Sequence, residues 1–533
     1  MGQGAEPREG MGGNRVNRGE NLNQLADSGK VWDVLIIGGG ATGLGSAVES
    51  ASRGYSTVLL EQVDFAKATS SRATKLAHGG VRYLEQGDIS LVLHALKERG
   101  LMARNAPHIC RTLTFVIPIY HWWASVFYGI GLKVYDALSG KLSMGHSHIL
   151  GRARAVELIP TVQTKGLIGG VLYTDGQFDD SRLATTLALT LTDLGGVALN
   201  YMPVRKLLKQ DGKVCGAVAE DLESGRTYEI KARTVLNATG IFTDSVRRFD
   251  DPLAKEMLSV SQGAHIVLDR SFLPGTTGIM VPKTDDGRVL FAIPWHQHVV
   301  VGTTDIPTHN IALEPRAMEQ EIDFLLRHAR HYLAKPVERR DVLSIFAGQR
   351  PLVSADHGEK TSKISRDHTI VTSKSNLVTI TGGKWTTYRL MGHDAVDHLA
   401  ETGQLPPKES RTENLRLHGY LENAGDLPER VYGTDLAQIK KLAQEDPELA
   451  QLLHKRLPYI AAEVVWAARV EMARTVEDVL ARRTRALFLD AHAAIEAAPL
   501  VAHLLAQELK RDVAWEQDQV KQFTKQAEGY LLV

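Results

Sequence analysis

Cysteine is almost missing from this chain: Cys110 and Cys215 are the only two in 533 residues. That excludes a disulfide scaffold and a multi-cysteine zinc or iron–sulfur centre, and it suits a reducing compartment. A charge surplus is missing too, with 62 Lys and Arg against 62 Asp and Glu. A protein that coats nucleic acid carries a basic excess, so no nucleic-acid partner is expected, although a local basic site for a small anion remains open. Residues 1–30 hold seven Gly, four basic and four acidic side chains, and no apolar run. They form no secretory signal and read as a flexible tail. Long hydrophobic runs are scarce. One uncharged stretch, Thr112–Leu132, spans 21 residues, enough for a bilayer. Pro118, His121, Gly129 and Gly131 interrupt it, and Trp122, Trp123, Phe127 and Tyr128 sit mid-segment instead of at its ends. It is expected to be buried core or a domain interface, with membrane-surface contact as the open alternative. The rest of the composition, 43% hydrophobic and 23% charged, is that of an ordinary globular protein, and the length suits three to four domain-sized units.

What is present is a nucleotide signature. Val34-Leu35-Ile36-Ile37 reads as a buried parallel strand and runs into Gly38-Gly39-Gly40. A helix is expected from about Gly43 to Arg53, then a second strand over Thr57–Leu60 closing on Glu61. Gly38-x-Gly40-x-x-Gly43 therefore falls between strand and helix. There the first Gly permits the tight turn, the second lets backbone approach a pyrophosphate, and the third lets helix and strand pack closely. The helix N-terminus supplies N–H groups and partial positive charge for phosphate. Glu61, 23 residues after Gly38, is placed to accept hydrogen bonds from ribose hydroxyls and disfavours a 2′-phosphate.

Further along, a helix is expected at Arg182–Asp193, strands at Val214–Val218 and Val235-Leu236, and an antiparallel sheet between about 260 and 345, including His265–Leu268 and Val299–Val301. Another strand, Leu377–Ile380, ends at Gly382-Gly383. Beyond Leu405-Pro406-Pro407 the pattern turns helical, with Ala468, Met472, Val476 and Val479 spaced as one helix face. Asn237-Ala238-Thr239-Gly240 and Thr381-Gly382-Gly383-Lys384 both end strands, where ligands of open α/β sheets bind. With Ser70, Ser71 and Gly79-Gly80 close behind the first unit, the combination favours FAD over NAD.

Several longer motifs carry a resemblance. Ala68-Thr69-Ser70-Ser71-Arg72 through His78-Gly79-Gly80-Val81-Arg82-Tyr83-Leu84-Glu85, Asp175-Gly176-Gln177 with Asp179-Asp180, Gly302-Thr303-Thr304-Asp305, Gln349-Arg350-Pro351-Leu352 and Gly382-Gly383-Lys384-Trp385-Thr386-Thr387-Tyr388-Arg389 resemble the FAD-dependent glycerol-3-phosphate dehydrogenases. Pro458-Tyr459 through Arg482-Arg483-Thr484-Arg485 resembles that family's helical C-terminal domain. The resemblance implies the glycine and D-amino-acid oxidase fold, of α/β plus α class. A Rossmann-like FAD domain (31–100, 181–255 and 346–400) is interleaved with an antiparallel substrate domain (101–180 and 256–345), and a helical domain (405–533) follows the tail of 1–30. It also implies oxidation of sn-glycerol 3-phosphate to dihydroxyacetone phosphate by hydride transfer from C2 to flavin N5. Electrons then pass to membrane quinone, in a peripheral homodimer on the inner, cytoplasmic face of the cell membrane.

The resemblance also implies a site. Arg82, Tyr83, His265, Arg350, Arg366 and Lys384 match the substrate positions. Arg350 and Arg366, with Arg82 beside them, are expected to clamp phosphate, since the guanidinium fork grips it through two hydrogen bonds. His265 is expected to be the base, having a suitable ordinary pKa, with Lys384 polarising the C2 oxygen. FAD is expected at Gly38, Gly40, Ala41, Thr42, Gly43, Glu61, Gln62, Thr69, Ser70, Ser71, Lys75, His78, Gly79, Gly80, Val204, Ala238, Thr239, Gly240, Gly383, Lys384, Trp385 and Thr386. No metal is expected. Three alternatives remain: an oxidase of the same substrate using oxygen, an amine or amino-acid oxidase of the same fold, and a non-catalytic FAD-binding scaffold. The first characteristically carries an insertion not seen in this sequence, the second needs fewer cations, and the third does not need the full Arg, His and Lys set.

Overall fold

The computed structural model describes residues 18–27, 29–80, 89–284, 287–353, 368–425 and 428–532. Val34, Leu35 and Ile36 have no exposed surface, so the strand that carries them, Val31–Ile37, must be covered on both faces. It lies centrally in an eight-stranded sheet, parallel to Thr57–Leu60 on one side and Thr227–Asn237 on the other. The order continues outward to Val197–Leu199 at one edge and Leu377–Gly382 at the other, where His368–Thr372 closes the sheet antiparallel. The hairpin Val204–Gln210 and Lys213–Glu220 branches from Thr227–Asn237. Helix Ala41–Ser52 crosses from the first strand to the second and packs on helix Tyr388–Thr402 at backbone distance. A Cβ on Gly45 would stand 2.6 Å from Tyr388 O, and one on Gly392 2.6 Å from Gly45 O.

A second, ten-stranded sheet is built on Leu258–Asp269. That strand pairs antiparallel with Val342–Val353 on one side and with His298–Gly302 on the other. From there the order is Leu290–Trp295, Gly278–Val281, Cys110–Ile119, Gly169–Phe178 and Leu76–Ala77. Helices Leu436–Glu445, Ala461–Arg469, Ala491–Leu509 and Val513–Ala527 form the C-terminal part. The expected class, a Rossmann-like unit interleaved with an antiparallel sheet and followed by helices, is the one observed.

Four local expectations need correction. Within the supposed tail, Arg18–Ala26 forms a helix: Leu25 is buried and Arg18 donates to Asn200 O (2.7 Å) and pairs with Asp221 (2.6 Å). A short helix docked through one arginine, which also pairs with Glu223 (3.1 Å), leaves little compositional trace. Val342–Val353 belongs to the second sheet, because its whole length zips onto Leu258–Asp269, although 346 onward was expected in the FAD unit. Leu76–Ala77, likewise expected there, pairs with Gln177 and Gly176. Ala468, Met472, Val476 and Val479 do not share a helix. The helix ends at Arg469, Met472 has φ 57°, and a π-helical turn occupies Asp478–Arg483. The chain turns there to deliver Glu471 to Arg182 and Arg482 and Arg483 to Asp64, all buried.

Thr112–Leu132 divides between two elements. Its first part lies in the mostly buried strand Cys110–Ile119, and its second opens helix Trp122–Ser139, which buries Ala124, Leu132 and Tyr135 and leaves Trp122 and Ile130 exposed. Among the described residues, no helix is long and apolar enough to cross a membrane.

Candidate active site

Two contiguous cavities meet at Gly382-Gly383-Lys384-Trp385, the turn that follows the edge parallel strand. One, of about 420 Å³, is lined by Gly38, Gly40, Ala41, Thr42, Glu61, Gln62, Thr69, Ser70, Val204, Ala238, Thr239 and Gly240. The other, of about 320 Å³, is lined by Thr69, His78, Gly80, His265, Arg350, Thr386 and the shared turn.

The larger cavity is a cradle only glycine permits. Gly38 has φ 111°, and a Cβ on it would stand 2.6 Å from Ala238 O. A Cβ on Gly43 would stand 1.9 Å from Gly38 O. The backbone thus closes tightly around the helix N-terminus, where N–H groups and the helix dipole favour phosphate. Ser70 supports the turn by accepting from Ala41 N (2.9 Å), and Trp385 Nε1 donates to Ser70 O (2.8 Å). The carboxylate of Glu61 lines the cavity and accepts from Gly39 N (2.6 Å) and Val63 N (3.0 Å), while burial raises its pKa above the usual carboxylate range. These residues fit a dinucleotide: a phosphate-sized backbone cradle with a fixed carboxylate at the ribose position.

The smaller cavity gathers cations and two histidines, His78 and His265, from different parts of the chain. His265 comes from the spine strand of the second sheet and Arg350 from its partner strand. His265 is buried, stacks on Phe346 (4.8 Å, 13°), and is hydrogen-bonded through Nε2 to Thr74 Oγ1 (2.9 Å). Burial, then the charges of Lys75 and Arg350, push its pKa well below the ordinary histidine value, so the ring is neutral. Arg350 donates to Thr303 Oγ1 (2.9 Å) and pairs with Asp305 (3.3 Å), which holds its guanidinium at the cavity wall.

Some expected residues stand behind the wall. Gly43 and Ser71 line neither cavity, and Gly79 is packed against Leu96 while its N–H donates to Tyr135 Oη (2.8 Å). Lys75, expected at the cofactor, is fully buried instead. Its ammonium pairs with Asp180 (2.7 Å) and donates to Ser71 O (2.8 Å), among the rings of Trp295, Phe346 and Phe488. Arg82, Tyr83 and Arg366 lie outside the described residues. Sequence reasoning missed Arg72, Thr74, Asp175, Arg288, Thr303 and Asp305, all on the wall of the smaller cavity. Asp175, Thr303 and Asp305 sit in motifs already visible in the sequence, whereas Arg288 lies in an unremarkable polar turn with no signal of its own.

A nucleotide cradle opening into a cationic pocket with the neutral His265 imidazole is suited to oxidising a small anion. The FAD dependent oxidoreductase family matches residues 33–396, and the C-terminal domain of alpha-glycerophosphate oxidase matches residues 389–519. The protein is an FAD-dependent oxidoreductase. Over 538 residues it is 39% identical to the mitochondrial glycerol-3-phosphate dehydrogenase of Macaca fascicularis, covering 94% of this chain and 74% of that protein. It superposes on the glycerol-3-phosphate dehydrogenase from Bacillus halodurans complexed with FAD with a TM-score of 0.78, at 28% identity, over 97% of this chain and 98% of that one. The L-alpha-glycerophosphate oxidase from Mycoplasma pneumoniae shares the fold alone, with a TM-score of 0.57 at 16% identity over 72% of this chain and 98% of that one. The chain belongs to the family of FAD-dependent glycerol-3-phosphate dehydrogenases.

Proposed function

We propose that this enzyme oxidises sn-glycerol 3-phosphate to dihydroxyacetone phosphate by hydride transfer from C2 to flavin N5, and that the electrons go on to a membrane quinone. The observation that carries this reading is the convergence of His265, Arg350 and Lys384 on one cavity continuous with the nucleotide cradle. Bound FAD supplies the two-electron acceptor. Arg350, held by Thr303 and Asp305, offers its fork to the substrate phosphate. Lys384 stands at the junction of the two cavities, suited to stabilise developing negative charge on the C2 oxygen. His265 is the terminal base: its Nε2 takes the hydroxyl proton through the Thr74 hydroxyl, which lines the cavity and is hydrogen-bonded to that nitrogen. Its neutral resting state leaves it able to accept, and the arriving phosphate dianion offsets Lys75 and Arg350 and so raises its basicity during turnover. Glycerol 3-phosphate added anaerobically to the FAD-loaded protein is expected to bleach the flavin; an unchanged spectrum overturns the reading. Reoxidation faster with a soluble quinone analogue than with oxygen is expected, and the reverse order identifies an oxidase.

The peripheral membrane position draws support from helix Trp122–Ser139. Trp122 (74% exposed), Phe127 and Ile130 project from it, and exposed Ile149 stands against Gly129 on the neighbouring strand. An exposed apolar cluster of this kind suits the interfacial zone of a bilayer. Each such side chain contributes roughly 1.5–3 kcal/mol when buried. W122S/F127S/I130S is therefore expected to abolish co-sedimentation with phospholipid vesicles while leaving flavin bleaching intact; retained co-sedimentation places the membrane face elsewhere. Attachment to the inner face of the cell membrane and a homodimer belong to the same proposal, the latter tested by light scattering in detergent.

A further inference from the structure

Behind the wall of the smaller cavity lies a group of polar side chains that the reaction as described does not use. Gly79 stands between His78 and Gly80, which both line that cavity, but its own N–H is turned away and donates to Tyr135 Oη (2.8 Å). A phenol has one proton to give and lone pairs with which to accept. Having accepted from Gly79, Tyr135 gives its proton to Asp175, whose Oδ2 and Oδ1 lie 3.0 and 3.2 Å away. Arg99 completes the group by pairing with the same carboxylate (2.7 Å) and donating to Ser139 Oγ (3.4 Å). Tyr135, Arg99 and Asp175 are all buried. Burial first, then the charge of Asp175, pushes the Tyr135 pKa well above the ordinary tyrosine value, so the hydroxyl keeps its proton.

Space leaves the group little slack. A Cβ on Gly79 would stand 2.5 Å from Leu96 Cδ2 and 2.7 Å from Tyr135 Oη. Leu96 and Arg99 are three residues apart on helix Ile89–Asn105, and Tyr135 and Ser139 four apart on helix Trp122–Ser139, so each helix presents its pair on one face. Asp175 comes from strand Gly169–Phe178, where Tyr173 and Asp175 line the cavity and Thr174 and Gly176 do not, the alternation that puts both side chains on the cavity side. Tyr135 lines neither cavity and touches the wall only from behind. Its hydroxyl therefore joins two separate pieces of that wall, the turn at Gly79 and the carboxylate of Asp175. A buried N–H without an acceptor drives backbone to move until it finds one, and a shift of about 1 Å near a reacting centre costs up to about a hundredfold in rate.

We propose that Tyr135 is a positioning residue for the flavin reaction, its hydroxyl tying the Gly79 backbone to the Asp175 carboxylate and so holding His78 and Gly80 at the cavity wall. The proposal rests on the reading of that cavity as the site of glycerol 3-phosphate oxidation. Tyr135→Phe keeps the ring and removes only the hydroxyl. In anaerobic stopped-flow over a series of glycerol 3-phosphate concentrations, its limiting rate of flavin reduction is expected to fall roughly ten- to a hundredfold, with parental flavin content and shifted visible flavin bands. Ser139→Ala trims the same helix without touching either Tyr135 hydroxyl bond and is expected to keep the parental rate; an equal loss there shows general loosening and overturns the proposal. A Tyr135→Phe limiting rate within about twofold of the parent, even with a lowered melting temperature, assigns Tyr135 to packing and also overturns it. Should Tyr135→Phe fail to hold flavin, Asp175→Asn decides: it replaces the acceptor by an amide of the same shape and is expected to slow reduction likewise, and a parental rate overturns the proposal. A parent flavin that does not bleach overturns the substrate reading instead, and the substrate-free flavin bands of Tyr135→Phe then decide, an unshifted spectrum overturning the positioning role.

Discussion

His265 owes its state to its neighbours. An exposed histidine titrates near neutrality, but this one is stacked on Phe346 and lies close to the charges of Lys75 and Arg350. His265→Gln keeps the polarity and removes the base, so flavin reduction by glycerol 3-phosphate is expected to slow by roughly 10²–10⁴-fold in anaerobic stopped-flow. A near-normal rate across pH excludes His265 as the proton acceptor. Glu463 is a second residue whose behaviour comes from burial. Its carboxylate accepts from Tyr432 Oη (2.9 Å) and from Ile460 N (2.7 Å), and burial raises its pKa from 4.5 to about 7. In the unfolded chain the group ionises near 4.5, so between those two values the folded state holds a proton that the unfolded state has released. Its contribution is full below pH 4.5 and is lost as the pH rises through 7, amounting to about 3 kcal/mol. Glu463→Gln cannot ionise. Melting temperatures at pH 5 and 8 are expected to show a smaller decline for the variant than for the parent chain, and equal declines disprove the assignment.

At the scale of elements, the first strand–helix–strand unit was legible almost residue for residue. A run buried on both faces, a glycine turn and a second buried strand leave one arrangement open to the backbone. Gly43→Ala tests how tight that arrangement is. Its Cβ would lie 1.9 Å from Gly38 O, so backbone must move, at a cost of roughly 1–3 kcal/mol, and most bound flavin is expected to be lost, read by visible absorbance. Full flavin occupancy shows that the turn yields without harm. The close approach of Gly45 to Gly392 was not legible, because their 347-residue separation hides a contact that no local pattern announces. The same holds for Val342–Val353: a buried apolar strand reads alike in either sheet, and only its partner, Leu258–Asp269, assigns it.

The whole molecule is locked by buried charge. Asp64, just after the second strand of the nucleotide unit, accepts from Arg482 Nε (2.5 Å), both Nη atoms of Arg483 (2.7 and 2.9 Å) and Asn200 Nδ2 (3.0 Å). The two arginines hold its carboxyl down to about 2 against the opposing effect of burial. Arg182 with Glu471 and Arg485 with Asp180 (3.1 Å) continue this seam between the C-terminal part and the FAD unit. Asp64→Ala leaves two buried guanidinium groups short of a counter-charge and is expected to cost about 3–5 kcal/mol, lowering the melting temperature and exposing the C-terminal helices to proteolysis. An unchanged melting temperature and protease pattern refute this role.

By itself the sequence determined the nucleotide unit, the cofactor class and the family, because these rest on local spacing and on motifs that keep their order along the chain. The balance of 62 against 62 charges described only a total. Tertiary structure decided where those charges stand: Lys75 against Asp180 and away from the cavity wall, Arg350 against Asp305 on it, and Arg99 behind it against Asp175. The physical reason is range. Backbone conformation is set over a few residues, whereas the cost of burying a charge depends on partners that only folding brings within a few ångströms.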